Sequence, residues 1–528
     1  MKKIIEYGIN AREKMLSGIE KLFRAVAPTF GGEGKNTVFG KQFGVPESTR
    51  DGVTVAKNFD LEDETEKLAS DLMKIAALKT NDDVGDGTTT AIILAYWIIK
   101  NGFEEIKAQN SPIKINKGLL AATQDIVKQS KEQAEKITTK EQMAQIGNIA
   151  ARDKEIGELI ADVVYSAGEN RVIDVQDSKN TETTKEVVKG LKIEKGYISQ
   201  YFITNPEKMT AEYEDVDILI TDQKISNITD ILPLIEKLEK QGLMIIADDI
   251  DGDALTGLVV NKLNGKFKSL AIKAPGFGDN KKDILKDMAV ITGGTLITEE
   301  KGMKLIEVEP GMLGKAERVV ASKSETIIVG GGGNKKEIDN RIKQLKSECD
   351  LVEGKYDKEN IQKRIAGLTG GIAVIKVGAS SEIEQKEKKY RVEDAVAAVS
   401  AAVEEGVICG GGIPLLEIAE KLDDKTPSNR ILKKALQEPF KKNLENAWVD
   451  EKKIIDRIRK EGFKVGYDVV KGDFGTMFEI GIIDPVKVTR TALENAISVA
   501  SSILITETTI AIKQEETPVV GPPQQPMM

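Results

Sequence analysis

The chain contains no histidine. That absence removes Ser-His-Asp and Cys-His catalysis and almost every imidazole metal site. Any bound metal is then expected to be a hard cation held by carboxylate and phosphate oxygens. Cysteine is nearly as scarce: Cys349 and Cys409 stand far apart, in no CxxC spacing. This excludes a disulfide framework and a zinc site, and fits a reducing compartment. Aromatic residues make up only 5%, too few for base-stacking platforms. Positive charge is not in excess either. Against 85 Asp and Glu stand 76 Lys and Arg, a formal charge of -9, with no footprint for nucleic acid or an anionic membrane. No apolar run approaches the roughly 18–20 residues of a membrane span. The opening "MKKIIEYGINAREKM" meets charge too early for a signal peptide. The expectation is a cytoplasmic protein.

What is present is a 528-residue chain, 40% hydrophobic and 30% charged, which suits a soluble globular protein of several domains. Met15, Ile19, Leu22 and Val26 recur at helical spacing, and Pro28 stops that helix. The glycine-scattered "TFGGEGKNTVFGKQFG" reads as a loop entering a short hairpin. Residues 62–80, "AIILAYWIIKNGFEEI" and residues 115–135 read as helices. Between about 170 and 300 the texture changes to short apolar runs ("DILITD", "LMIIADD", "SLAIKAP") alternating with helical segments, the signature of a layered βα module. Residues 336–368 read as a charged helical hairpin turning at Gly354. From "RVEDAVAAV" onward the chain is helical again, and it ends in the proline-rich "TPVVGPPQQPMM". A mixed module inserted into a helical one is the simplest organisation: a multidomain α+β protein.

The stretch "NDDVGDGTTTAIILA" poses the functional question. Threonine is a mediocre helix former, yet three stand directly before an apolar helix. Gly85 and Gly87 would let backbone N–H groups approach a phosphate at a helix N-terminus, with the hydroxyls of Thr88, Thr89 and Thr90 as further donors. Asp86 would repel a bare phosphate and so implies a bridging cation, Mg²⁺ by preference. A capped helix start with threonine used for solubility explains the same pattern about as well. The loop "TFGGEGKN" alone is a turn, and the Asp51-Gly52 pair of "TRDGVTVAKN" favours a hairpin turn. "CGGGIP" would let backbone lie against a base or ribose. Asp394 of "RVEDAVAAV" is placed in the first turn of a helix. Without histidine, water activation must fall to a carboxylate, and Asp394 is a candidate general base. In "DILPLIEKLEK" and "DALTGLVVNKL" the apolar positions span more arc than one packing face needs, so the helices are either wholly buried or present the surplus to a partner.

Taken together, "NDDVGDGTTTA", "TRDGVTVA", "GYISQYF", "KAPGFGD", "GGIAVIKVGA", "RVEDA" and "DPVKVTR" appear in the order and spacing of the GroEL-type group I chaperonins, from about residue 2 to residue 515. The resemblance implies three domains. They are a helical equatorial ATPase domain split between both chain ends (1–132 and 405–528), an intermediate hinge domain (133–188 and 373–404) and an inserted α/β apical domain (189–372). It implies ATP-dependent capture of non-native polypeptides, encapsulation under a GroES-type co-chaperonin, and self-assembly into seven-subunit rings, commonly two stacked. By family match, Thr29, Phe30, Gly31, Gly32, Arg50 and Gly52 line the nucleotide, and Gly87, Thr88, Thr89 and Thr90 hold its phosphates. Asp86 holds Mg²⁺, and the backbone of Thr29 and Arg50 holds K⁺. Gly410 and Gly411 approach ribose and base, Asp484 takes the ribose hydroxyls, Ile482 packs on adenine and Asp468 contacts the base. Asp51 and Asp394 serve hydrolysis. Tyr197, Tyr201, Phe202, Leu232, Ile235, Leu255, Val259 and Val260 match the apical groove for clients and lid. Gly190, Gly370, Gly371 and Gly406 match the hinges. The sequence departs from the family at Gly32 (usually Pro), at Arg50 (usually Lys), at Glu33 and Asp468, and in its tail. Residues 421–462 match poorly. Two other readings compete: a Mg-ATP enzyme acting on a small molecule, and a scaffolding oligomer without turnover.

Overall fold

The structure is a computed structural model that describes residues 3–40, 46–151, 153–167, 172–206, 208–238, 242–276, 278–352, 355–369 and 371–512. Gly354, Gly370 and the proline-rich tail lie outside the described residues. The chain divides into two compact units, Met1–Asp162 with Tyr390–Met528, and Val163–Lys389.

The first unit is helical. Helix Gly8–Val26 buries Met15, Ile19, Leu22 and Val26 along the stripe read from sequence. Its Gly18 lets it approach helix Glu64–Val84 closely: a Cβ there would lie 2.2 Å from the Glu66 carbonyl oxygen. Helix Glu64–Val84 is started by Asp63, whose carboxylate accepts from the Thr65 and Glu66 N–H groups. Helix Thr88–Lys107 is buried almost all round, from Ala91 to Ile99. It packs with Glu64–Val84 and Val486–Leu504 around one apolar core. The N-terminal strand Lys3–Tyr7 pairs antiparallel with Thr508–Ile512, Lys3 opposite Ile512 and Tyr7 opposite Thr508. This pairing holds both chain ends in one body. The poorly matching segment forms helices Pro427–Ala435, Glu438–Asn446 and Glu451–Glu461, each burying an apolar stripe. The expected hairpin is present, with Thr37–Phe39 pairing antiparallel to Glu47–Thr49.

The second unit is built on a seven-stranded sheet. Strands Ala211–Thr221, Gly242–Ala247 and Ser269–Lys273 run parallel, and Gly314–Ala321 joins Ala211–Thr221 antiparallel, followed by Thr326–Gly331 and Gly190–Ile193. Leu243 to Ala247 are all buried, as expected of a strand covered on both faces. Helices Gly252–Leu263 and Gly278–Thr292 make the crossovers. A separate three-stranded sheet joins Ile372–Val377 to Ile173–Asp177 and Thr184–Val188. The charged hairpin is present as helices Lys335–Leu351 and Lys355–Thr369. Among the described residues no helix is long and apolar enough to cross a membrane.

Candidate functional site

Helix Glu64–Val84 ends at Gly85 (φ 68) and helix Thr88–Lys107 begins after Gly87 (φ 79), both left-handed. Any other residue would be strained at these dihedrals. Space excludes one as well: a Cβ on Gly85 would meet the Ala397 Cβ at 2.3 Å, and one on Gly87 the Val488 Cγ1 at 2.8 Å. No side chain caps the start of Thr88–Lys107. The capped-start reading therefore loses its main support: the three threonines are the first turn of a 20-residue helix whose positive end directly follows Asp86 and Gly87.

Two further loops meet this turn. The Thr29 and Thr89 hydroxyl oxygens are 3.5 Å apart, and a Cβ on Gly52 would fall 2.1 Å from the Thr89 Oγ1. Thr29, Gly52 and Thr89 are thus in one place. Asp51-Gly52 does not turn a hairpin. Asp51 instead starts helix Gly52–Asn58, its carboxylate accepting from the Val53 and Thr54 N–H groups. Aspartate accepts backbone N–H bonds in turns and at helix starts alike, so the same pair serves either setting. Arg50 Nη2 donates to the carbonyls of Gly31 (2.8 Å) and Gly32 (2.6 Å), tying the 29–34 loop down.

The far side is closed by residues that sequence reasoning missed. Asn446 Nδ2 donates to the carbonyls of Ala27 (3.0 Å) and Phe30 (2.9 Å). The Asn443 side chain lies between Gly31 and Gly411. Val469 and Val470 border Gly32, and Met477 borders Gly411. These residues sit in or beside a segment with no glycine motif and weak resemblance, so only the helical stripe Phe440, Asn443, Leu444 hinted that Asn443 faces inward. Gly410 donates its N–H to the Ile482 carbonyl at 2.9 Å and lies against Ile482 and Asp484.

The three carboxylates here behave differently. Burial pushes Asp484 up to about 7, the charge of Asp86 adds to the rise, and the Gly411 N–H partly opposes it. Asp86 is exposed and accepts its own neighbour's N–H, from Gly87, at 2.6 Å. Asp468 is buried, and its Oδ1 accepts from the Val470 and Lys471 N–H groups at 3.0 and 3.1 Å, so it shapes the turn beside Gly32. Among the described residues no cluster of three or more His, Cys, Asp or Glu side chains could hold a metal unaided.

Asp394 is not in a first helical turn. It lies well inside helix Glu382–Glu405, because the preceding "EQKEKKYR" is made of good helix formers that extend the helix backwards. Ala397 and Ala401 follow it on the same helical stripe. Ala397 abuts Gly85, and Ala401 packs with Val84 and Val488. The stripe that carries Asp394 therefore runs against the Gly85 turn.

In the other unit, helix Gly252–Leu263 packs against the short turns Gln200–Phe202 and Ile228–Asp230, and the latter also meets helix Leu232–Lys237. Tyr201 (64% exposed), Val260 (47%) and Leu232 are open to solvent here. Ile235, Leu255 and Val259 are half-buried beside them. Leu263 on the same helix as Val260 is also exposed, as is Ile306 in the turn Leu305–Glu307 that packs against helix Leu232–Lys237, and neither was foreseen. Two expected members are not on it: Phe202 is 0% exposed, and Tyr197 is buried with its hydroxyl donating to the Met209 carbonyl at 3.3 Å. Both belong to the core beneath.

Of the expected hinges, Gly371 (φ 60) and Gly406 (φ 85) are left-handed. Gly190 instead lies within strand Gly190–Ile193, where a Cβ would sit 2.2 Å from the Ile372 Cδ1. It is glycine for space rather than for φ.

The model of the TCP-1/cpn60 chaperonin family matches residues 22–514. Among solved structures, the chaperonin gp146 from the bacteriophage EL 2 (Pseudomonas aeruginosa), crystallised in the presence of ATP-BeFx, matches with a TM-score of 0.70 at 19% identity, covering 97% of this chain and 100% of that one. At that identity the likeness speaks for the fold. The family match spans nearly the whole chain, and this protein belongs to the TCP-1/cpn60 chaperonin family.

Proposed function

We propose that this chaperonin is an ATP-driven folding chamber of the group I type. The observation that carries the reading is the turn at Gly85–Gly87. Two left-handed glycines open an uncapped 20-residue helix there, and the Thr29 and Thr89 hydroxyls and Gly52 meet beside it. This is a cradle shaped for phosphate. The carboxylates fit a divalent cation: the charge of Asp86 raises Asp484, and a cation between carboxylate and phosphate oxygens relieves such repulsion. With no three-carboxylate cluster among the described residues to hold Mg²⁺ alone, the ion would come with the nucleotide, Asp86 being its protein ligand. K⁺ is assigned to the Thr29 and Arg50 backbone. Gly410, Gly411 and Ile482 take the ribose and base end. The gp146 chaperonin was crystallised with an ATP analogue, which supports a nucleotide on this fold.

Asp394, with Asp51, serves hydrolysis by positioning water and accepting its proton. Segments 133–188 and 373–404 act as the intermediate domain that carries Asp394, hinging at Gly371 and Gly406. Tyr201, Leu232 and Val260, with Ile235, Leu255 and Val259, capture exposed apolar segments of non-native polypeptides. Burial there stabilises by ~25 cal/mol per Å² whatever the sequence. A GroES-type lid competes for the same face, and seven subunits close the cavity. The test is Asp394→Ala. Nucleotide binding should persist while turnover falls by about 10²–10⁴; turnover close to wild type removes Asp394 from the mechanism.

A further inference from the structure

We propose that Asn443 reads the nucleobase and selects adenine, an assignment that rests on the nucleotide reading above. Asn443 lies on helix Glu438–Asn446, only 9% exposed, and its Oδ1 has no hydrogen-bond partner. A buried amide oxygen without a donor is costly and uncommon in a folded protein. The neighbouring asparagine on the same helix provides the contrast. Asn446 is spent on the carbonyls of Ala27 and Phe30, which is a structural use.

The location is specific. Asn443 Oδ1 lies 2.0 Å from where a Cβ on Gly31 would stand, and its Nδ2 lies 3.9 Å from where one on Gly411 would stand. Around it, Met477 Cε lies 3.5 Å from the same point at Gly411, Ile482 borders Gly410, and Val469 and Val470 border Gly32. The side chains around it are apolar, with this amide set among them. Asp468, the polar residue that the resemblance offers for the base, has its Oδ1 committed to the Val470 and Lys471 amides.

A primary amide holds an acceptor and a donor side by side, and here the acceptor, Oδ1, is the one left without a partner. Adenine offers the complement: its 6-amino group donates and the adjacent ring nitrogen accepts, the pairing by which asparagine recognises adenine elsewhere. Guanine places a carbonyl oxygen where adenine has its amino group. An unsatisfied acceptor at Asn443 therefore gains from ATP what it cannot gain in the same way from GTP. Sites built on such a bond reject ligands that lack it more sharply than apolar pockets discriminate by size.

The test compares binding of ATP, GTP and purine riboside triphosphate, which lacks the 6-amino group, to the full-length protein and to Asn443→Leu. Wild type should hold ATP about tenfold or more tighter than the other two. Asn443→Leu should lose most of that margin and bind all three within about threefold of one another. Asn443→Ala carries the same test if leucine cannot be accommodated beside Gly31. Equal binding of the three by wild type, or an undiminished ATP preference in both variants, overturns the assignment. Failure of wild type to bind any of them would instead overturn the nucleotide reading, and the assignment with it.

Discussion

Asp484 concentrates the electrostatics of the candidate site. Its carboxyl is pushed up to about 7 by burial and by Asp86, against about 3.9 in an unfolded chain. Between those values the folded protein holds a proton that the unfolded chain has lost. This contribution to stability therefore declines as pH rises from about 4 to 7 and is level above. The same proton opposes any ligand or cation that needs the carboxylate, so affinity for Mg-ATP should climb through pH 7. Asp484→Asn should remove both slopes, read by thermal melts and binding isotherms at pH 5.5 and 8. A variant that keeps the wild-type slopes contradicts the role. At this scale much was legible: Gly85, Gly87 and the threonines stand where the pattern placed them. Phe202 was not legible. In the tight turn Gln200–Phe202 successive side chains are about 120° apart, so Tyr201 points out while its neighbour enters the core. Asn443 was equally hidden, since a lone asparagine in a charged helix carries no motif.

At the scale of elements, helical periodicity located the long helices well and their ends less well. The Asp394 helix starts twelve residues before that residue, at Glu382, because charged helix formers give no stop signal. Surplus apolar arc proved informative. In helix Gly252–Leu263 only Ala254 and Leu258 are fully buried, which leaves Leu255, Val259 and Val260 at or near the surface. A single stripe would have hidden them. Val260→Glu should abolish capture of an unfolded protein, by at least about tenfold in affinity, and leave ATP turnover within about twofold, since a charge cannot be buried against an apolar client without a partner. Capture at the wild-type level would separate this face from client binding. Stability should change little, as Val260 is half exposed.

At the scale of the whole molecule, the shared helical texture of the two outer segments announced that both ends fold into one unit. The pairing of Lys3–Tyr7 with Thr508–Ile512 is the physical reason. The inserted module was legible from its alternation of short apolar runs and helices. The strand order was not, because contacts such as Ala211–Thr221 beside Gly314–Ala321 join distant segments that no local pattern reports. The central claim is that copies of this chain form a chamber worked by nucleotide. The most direct test is the mass and shape of the purified protein with and without Mg-ATP, by light scattering and negative-stain electron microscopy. Seven-fold rings that change shape on adding Mg-ATP are the predicted result; a monomer whose mass and shape ignore Mg-ATP would contradict the account.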